Sequence, residues 1–264
     1  MINWNVPPEI VSFGPIEVRW YGILFATSFF LGFLIIGWIF KIEKKSAKDL
    51  DELFFFMIVG TVIGARLGHA IFYDPIYYFS NPIRILKIWE GGLASHGAAI
   101  GIFAALFYYS RKKPDQRYLW LLDRMAIIIP LSGFFIRIGN LFNSEIIGKP
   151  TAVPWAFIFS RIDNLPRHPT QLYESIGYLL IFIALFKIYR INQEKTTPGI
   201  ILGTFLISAF SFRFLIEFLK ESQSDFEKGM IINMGQILSL PLILLGLIII
   251  IRLKANKKTS SIKN

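Results

Sequence analysis

An apolar run, Tyr118–Ile138, ends in the sequence Arg137-Ile-Gly-Asn-Leu-Phe-Asn-Ser-Glu-Ile-Ile-Gly148. This stretch places an arginine, two amides, a carboxylate and two glycines where an apolar segment meets a loop. A guanidinium inside a bilayer is costly unless it faces protein, water or an anion, so it marks a functional site by default. Beside a membrane the expected anion is a phosphate, which arginine binds as a planar two-pronged donor. The stretch therefore predicts a membrane protein with lipid phosphate chemistry.

The composition agrees with a membrane protein. Of 264 residues, 54% are apolar and 17% are charged, against about 45–50% and about 25% in soluble domains. Cysteine is absent, which excludes disulfides, cysteine metal ligands and a cysteine nucleophile of the protein itself.

Seven segments have the length and apolarity of bilayer-spanning helices, which need about 20 mostly apolar residues. They are Trp20–Phe40, Leu53–Tyr73, Gly91–Ser110, Tyr118–Ile138, Gln171–Tyr189, Gly199–Leu219 and Met234–Ile251. The sequence thus predicts an all-α polytopic membrane protein with seven transmembrane helices, forming a single integral membrane domain over residues 1–264. No repeat or soluble basic domain is evident.

The longest outer connector, Gly139–Thr170, contains the run Val153-Pro-Trp-Ala-Phe-Ile-Phe159. Its proline and aromatic residues predict a short strand or packed loop rather than a helix. We expect residues 139–170 to form a small extracytoplasmic cap within the membrane domain.

Basic residues alternate between connectors and predict the orientation. The richer set is Lys41, Lys44, Lys45, Lys48, Arg111, Lys112, Lys113, Arg117, Arg190, Lys195, Arg252, Lys254, Lys257, Lys258 and Lys263. The positive-inside rule places this set in the cytoplasm, with the N-terminus outside and the C-terminus cytoplasmic. Much of the net charge of +10 is therefore an orientation signal, and no nucleic-acid partner is expected. The N-terminus lacks a small-residue cleavage pattern, so no cleaved signal peptide is expected.

Ionisable residues inside the predicted spans form two groups. Asp123 and Arg124 lie near the inner end of their span, where they could pair or extend to the surface. The other group falls in the outer half of the spans: Arg66, His69, His96, Arg137, Glu174 and Arg213. These six residues predict one polar chamber open to the outer side.

Each of these residues also has a structural interpretation. Arg66 lies between Gly64 and Gly68, so it could line a site or form a structural ion pair in a close helix contact. His96 follows a glycine-rich helix entry, where it could act as a base or be satisfied by backbone in a close-packed helix.

Glu174, near the start of its helix, could complement the helix dipole. Arg213 and Glu217 are four residues apart and could pair on one helix face. Alternatively, Arg213 could face Glu174 or a phosphate. His168 could be an exposed loop residue, and its neighbours give little reason to expect a metal site.

The motifs together resemble the prolipoprotein diacylglyceryl transferase family across nearly the whole chain. The motifs are Arg19-Trp-Tyr21-Gly, Gly64-Ala-Arg66-Leu-Gly68, Glu90-Gly-Gly-Leu-Ala-Ser-His96-Gly, Arg137-Ile-Gly-Asn140-Leu-Phe-Asn143-Ser-Glu145-Ile-Ile-Gly148, His168-Pro-Thr-Gln171-Leu-Tyr173-Glu174, Arg213-Phe-Leu-Ile-Glu217 and Gly235-Gln236-Ile-Leu-Ser-Leu-Pro241. Each is weak alone, but all seven occur in the family's order.

The resemblance implies a bacterial inner-membrane enzyme. It would move the diacylglyceryl group of phosphatidylglycerol to the lipobox cysteine thiol in the signal peptide of a prolipoprotein, leaving a thioether and glycerol phosphate. Arg137 matches the signature arginine, Arg213 the second family arginine, and His96 the family histidine; these three are the candidate catalytic residues. The candidate phosphatidylglycerol-binding residues are Arg137, Arg66, Asn140, Asn143, Glu145, Tyr21, Gln171 and Glu174.

The reaction fits the residues without further components. Arginines at the leaving phosphate would stabilise its developing charge. The substrate thiol, with an ordinary pKa of about 8.5, must lose its proton to attack. His96 is the candidate base, although the arginines could instead lower the pKa of the thiol. No metal or other cofactor is expected.

Three positions depart from the family pattern: Lys220, where arginine is expected, Ala98, where a second glycine usually follows the histidine, and Ala209, where tyrosine is common. Lys220 keeps the charge but loses the two-pronged geometry.

Two other function classes remain open at this point. A transporter for an anionic metabolite would also place arginines in the bilayer, usually in two related halves, and a non-catalytic scaffold would account for the glycines.

Overall fold

The computed structural model describes residues 1–14, 16–222, 227 and 229–262. Lys263 of the C-terminal basic cluster lies outside the described residues. The helices are α1 (Trp20–Ile42), α2 (Ala47–Phe72), α3 (Pro75–Ser80), α4 (Ser95–Lys112), α5 (Tyr118–Asn143), α6 (Thr170–Asn192), α7 (Ile200–Ile216) and α8 (Met234–Ile262). Short 3-10 helices cover Pro82–Leu86, Ile88–Glu90, Gln193–Lys195 and Glu217–Leu219. The strands are β1 (Ile2–Trp4), β2 (Glu9–Phe13), β3 (Ile16–Arg19), β4 (Phe157–Phe159) and β5 (Pro166–Arg167).

Six helices within the described residues are long and apolar enough to cross a membrane, which confirms a largely helical polytopic protein. The predicted seventh span, Gly91–Ser110, is not among them. Its helix, α4, begins only at Ser95 and contains His96 near its start and Arg111 and Lys112 at its end. These polar ends lower its hydropathy, so the count of seven is not confirmed by length and composition.

The chain divides into two compact units, one of Met1–Ile35 with Asp123–Asn264 and one of Ile36–Leu122. In the Ile36–Leu122 unit, glycines let α2 and α4 pack backbone to backbone. A Cβ at Gly64 would lie 2.8 Å from the Gly101 Cα, and one at Gly97 would lie 2.7 Å from the Gly68 Cα. No larger side chain fits there without separating the helices.

The other unit carries the two small sheets. β1 pairs in parallel with β4, and β4 pairs antiparallel with β5, while β2 and β3 form a hairpin. Phe157 and Phe159 pack with Leu141, and Trp4 donates its indole N–H to the Leu141 carbonyl at 3.0 Å. The aromatic run predicted to form a short strand does so as β4.

Asp123 and Arg124 are both fully buried in this unit. The Asp123 carboxylate accepts the backbone N–H groups of Gly199 at 2.5 Å and Leu202 at 2.8 Å. It therefore satisfies free donors at the start of α7, while Arg124 lies over the Tyr189 ring. The predicted pairing between Asp123 and Arg124 is only a long contact of 3.9 Å, because the carboxylate faces the helix end.

Candidate active site

Arg137 lies in the last two turns of α5, and other side chains orient its guanidinium. Its Nε lies 3.0 Å from Glu174 Oε2, and its Nη1 donates to Asn140 Oδ1 at 3.0 Å. Glu174 is fully buried, whereas 12% of the Arg137 side chain is exposed. α6 begins at Thr170 as predicted, and its first turns bring Glu174 to the arginine. Glu174 therefore has a charge partner in addition to its position near the helix start.

The turn after α5 is built around Glu145. Its carboxylate accepts the amide N–H groups of Asn140 and Asn143, each at 3.1 Å. Its two neighbours, Ser144 and Ile146, have φ values of 55° and 56°. A β-branched residue is strained in this left-handed region, and such strain concentrates at functional sites. The backbone here is thus held in an unfavourable conformation that presents Glu145 and both asparagines.

Two amide oxygens beside this turn are buried and accept no hydrogen bond from the residues that the structure describes: Asn143 Oδ1 and Gln171 Oε1. The Gln171 Nε2 group already donates to the Glu145 carbonyl at 2.7 Å. Both amides therefore offer acceptors, and a buried acceptor without a partner is unfavourable. Tyr21 also lies close, since a Cβ on Gly139 would come within 2.8 Å of its ring.

A chain of buried charges extends from Glu174 to Arg213. The Lys220 ammonium lies 3.6 Å from Glu174 Oε1 and 2.8 Å from Glu217 Oε1. The same Glu217 oxygen lies 3.8 Å from Arg213 Nη2, which meets the predicted i,i+4 pairing. Arg213 keeps 35% of its side chain exposed. Two carboxylates therefore alternate with Arg137, Lys220 and Arg213, and the set carries one net positive charge.

The predicted chamber residues divide between the two units. Arg137, Glu174 and Arg213 belong to the site above, whereas Arg66, His69 and His96 belong to the Ile36–Leu122 unit. There, the exposed His96 ring stacks on Tyr73 with centroids 5.7 Å apart, and His69 stacks on the same tyrosine at 5.3 Å. Arg66 is 2% exposed and contacts the loop before α4.

The connector between α5 and α6 holds an arginine outside the spans. Arg167 pairs with Asp163 at 2.5 Å and with Glu221 at 2.8 Å, and donates to the Gly148 carbonyl at 3.1 Å. The guanidinium holds the pKa of Asp163 below its usual range. His168 lies next to Arg167, and its Nδ1 is 3.4 Å from the Tyr173 hydroxyl. These contacts hold the connector directly before Gln171 and Glu174.

Sequence reasoning predicted Arg213 beside Glu217 but missed two other neighbours of this carboxylate. Asn233 donates from Nδ2 to Glu217 Oε2 at 3.1 Å, and Gly235 leaves space that the Glu217 carboxylate fills. Asn233 comes immediately before α8, a position where asparagine is favoured as a helix cap. The asparagine therefore predicts the start of α8, but it does not predict the contact with the Glu217 carboxylate.

Comparison with known proteins decides which family shares these residues. A family profile described as prolipoprotein diacylglyceryl transferase matches residues 8–252. The chain belongs to the prolipoprotein diacylglyceryl transferase family. It is 51% identical over 249 residues to the phosphatidylglycerol–prolipoprotein diacylglyceryl transferase of Chloroherpeton thalassium, covering 94% of this chain and 93% of the relative. The transferase of Tolumonas auensis is 47% identical over 258 residues, covering 98% and 99%.

Family membership makes this chain a multi-pass bacterial membrane protein of a transferase family. Another relative of the same name, from Bacteroides fragilis, is 42% identical and covers 93% of both chains. The family resemblance seen in the sequence motifs is confirmed. Of the three function classes that the sequence left open, the enzyme is the one that the family supports.

Proposed function

We propose that this protein transfers the diacylglyceryl group of phosphatidylglycerol to the lipobox cysteine of prolipoproteins. The observation that carries the proposal is the match to the family over almost all of the chain. In the reaction, the cysteine sulfur attacks the primary carbon of the diacylglyceryl group and forms a thioether. The C–O bond to phosphate breaks, and glycerol phosphate leaves with the bonding electrons and one additional negative charge.

Arg137 and Arg213 stabilise that charge in our proposal. Both arginines lie next to buried carboxylates, which hold them in place before the substrate arrives. Preorganised donors at a developing anion are among the largest contributions to catalysis. The two guanidinium groups are the more exposed members of this set, whereas Glu174 and Glu217 are buried, and this arrangement favours an anionic headgroup over a neutral one.

The headgroup lies against the turn after α5 in our proposal. Asn143 Oδ1 and Gln171 Oε1 are acceptors suited to glycerol hydroxyls, and their burial increases the cost of leaving them unpaired. Asn140, Glu145 and Glu174 orient Arg137 and the amides, and Tyr21 forms a neighbouring wall. Arg66 was also expected to bind phosphatidylglycerol, but its hydrogen bonds to backbone carbonyls favour a positioning role instead.

His96 takes the thiol proton in our proposal. Its ring is exposed and positioned by aromatic contacts with Phe72 and Tyr73. An imidazole can accept a proton near neutral pH. In the alternative mechanism, His96 only donates a hydrogen bond to the lipid, and the arginines favour the thiolate.

We further propose that α4 crosses the bilayer as a seventh span of one membrane domain, in the bacterial inner membrane. The basic connectors support an outside N-terminus, an extracytoplasmic cap over residues 139–170 and a cytoplasmic C-terminus. A cysteine at Asn164 tests this orientation, because it should react with an impermeant maleimide in intact cells. Labelling only after permeabilisation would reverse the orientation.

The transfer itself is tested with purified protein, phosphatidylglycerol and a lipobox peptide. Mass spectrometry should show a diacylglyceryl group on the cysteine and an equal amount of glycerol phosphate. A peptide with serine in place of the cysteine is the control, because its hydroxyl is a far weaker nucleophile. Absence of a mass gain with folded protein would contradict the proposed function.

A further inference from the structure

Arg66, in α2, has an environment unlike that of the other buried arginines. Its Nε donates to the Ile85 carbonyl at 2.9 Å. Its Nη1 donates to the carbonyls of Gly91 at 2.5 Å and Gly92 at 3.2 Å. Its Nη2 donates to the carbonyls of Arg84 and, at 3.0 Å, Lys87. All three nitrogens therefore contact one segment, residues 84–92, which we term the 84–92 loop.

The 84–92 loop presents its carbonyls to Arg66 and leaves apolar side chains exposed. It contains the end of the 3-10 turn Pro82–Leu86 and the 3-10 turn Ile88–Glu90. Leu86 and Trp89 are 69% and 76% exposed, so the loop has no apolar core of its own. Gly91 and Gly92 both have positive φ values, 85° and 69°. A cation beside these carbonyls supplies an attraction that the exposed apolar side chains do not.

The loop leads directly into the helix that carries His96. The Ala94 N–H donates to the Ala65 carbonyl at 2.9 Å, one residue before Arg66. A Cβ on Gly92 would lie 2.8 Å from Arg66 Nη1 and 2.7 Å from the His69 ring. The loop thus packs directly on α2 up to Ala94, and His96 follows within the first turn of α4.

We propose that Arg66 is a positioning residue that fastens the 84–92 loop to α2 and thereby fixes the place of His96. Its guanidinium is committed to loop carbonyls and to the Tyr78 hydroxyl at 3.2 Å, and stacks on the Tyr78 ring. Arg66 therefore acts through the loop and does not contact the phospholipid. This inference rests on the proposed function, because its consequence is expressed through His96.

A double-mutant cycle with Arg66→Lys and His96→Asn tests the proposal. A lysine keeps the charge but cannot reach carbonyls on both sides of the loop. Arg66→Lys should lower kcat by about tenfold or more, since small misplacements of a catalytic group are costly. The KM for phosphatidylglycerol should change little. In the His96→Asn background the same change should cost less than about twofold, because residues that act as a unit are not additive.

Amide hydrogen exchange gives a readout that does not depend on activity. In Arg66→Lys, the amides of Lys87, Gly91 and Ala94 should exchange faster, while those of α5 should not change. Arg111→Lys is the matched control, since Arg111 is exposed in the last turn of α4 and lies over the Phe107 ring. It should alter neither exchange in the loop nor kcat.

If Arg66→Lys does not fold, Gly92→Ala tests the same contact from the loop side. Its added Cβ would meet Arg66 and His69 on a backbone with positive φ. It should show the same non-additivity with His96→Asn. The proposal would be overturned if the rate losses of the two single variants multiplied in either double-mutant cycle. It would also be overturned if the KM for phosphatidylglycerol rose while amide exchange in the loop stayed unchanged. If the wild-type protein shows no transfer, the proposed function fails, while the exchange experiment still tests the loop.

Discussion

Arg66 and Arg137 are both buried arginines in predicted spans, yet their partners differ in kind. Arg137 faces a carboxylate and a side-chain amide, whereas Arg66 faces backbone carbonyls and a tyrosine. A carboxylate neutralises the guanidinium and orients it, and the partly exposed remainder can face a ligand. Carbonyl dipoles instead surround the guanidinium of Arg66. The difference teaches that depth in the membrane marks an arginine as important, and its partners indicate how it acts.

The largest expected effect comes from removing the carboxylate of the Arg137 pair. Glu174→Gln removes the buried negative partner of Arg137 and one of the two carboxylates that the Lys220 ammonium contacts. Breaking a buried ion pair from one side costs about 3–5 kcal/mol, so thermal unfolding in detergent should shift strongly and transfer should fall. Glu52→Gln is the control, because its partners Lys112 and Lys113 are partly exposed. Equal losses in both variants would contradict a special role for the Glu174 pair.

The next effect separates two roles for His96. If its imidazole is the base, kcat/KM should rise with pH as an imidazole loses its proton and then level off. His96→Gln should be slower by about a hundredfold or more, and its residual rate should follow thiol deprotonation. His69→Gln is the matched control, since His69 stacks on the same Tyr73. An unchanged midpoint in His96→Gln would remove His96 as the base.

The smallest effect concerns Arg167, an arginine in the connector between α5 and α6. Its partner Asp163 is 28% exposed, so Asp163→Asn should cost less than about 1 kcal/mol. Because folding lowers the pKa of Asp163, its contribution is present above the unfolded pKa of about 3.9 and disappears as pH falls through the lower folded value. The difference in melting temperature between wild type and variant should be full at pH 7 and shrink as the pH falls below about 3.9. A difference that does not change with pH would assign the effect to packing.

Much of the fold could be predicted because the hydropathy of a segment depends only on its own residues. The six confirmed spans, the start of α6 at Thr170 and the strand β4 all follow from local patterns. The start of α4 could not be predicted, because two glycines with positive φ and the 3-10 turns before it delay the helix to Ser95. A glycine-rich run is compatible with both a helix and such a turn.

The contacts within the site were less predictable than its residue types. The predicted spans placed Arg137, Glu174 and Arg213 at one depth and the i,i+4 spacing added Glu217 beside Arg213, but Lys220 between the two carboxylates depends on tertiary packing. The partners of Arg66 are backbone carbonyls, which every residue carries and no sequence pattern reveals. The strained φ of Ile146 likewise depends on the whole turn around Glu145.

The account is tested most directly by the dependence of transfer on phosphatidylglycerol concentration in wild type, Arg137→Lys and Arg66→Lys. Lysine keeps the charge at either position but removes the two-pronged donor. Arg137→Lys should lose about a hundredfold in kcat/KM, or roughly 3 kcal/mol, as expected for a lost contact to a developing anion. Arg66→Lys should keep the wild-type KM and lose only kcat. Turnover close to wild type in folded Arg137→Lys protein would contradict phosphate stabilisation by Arg137.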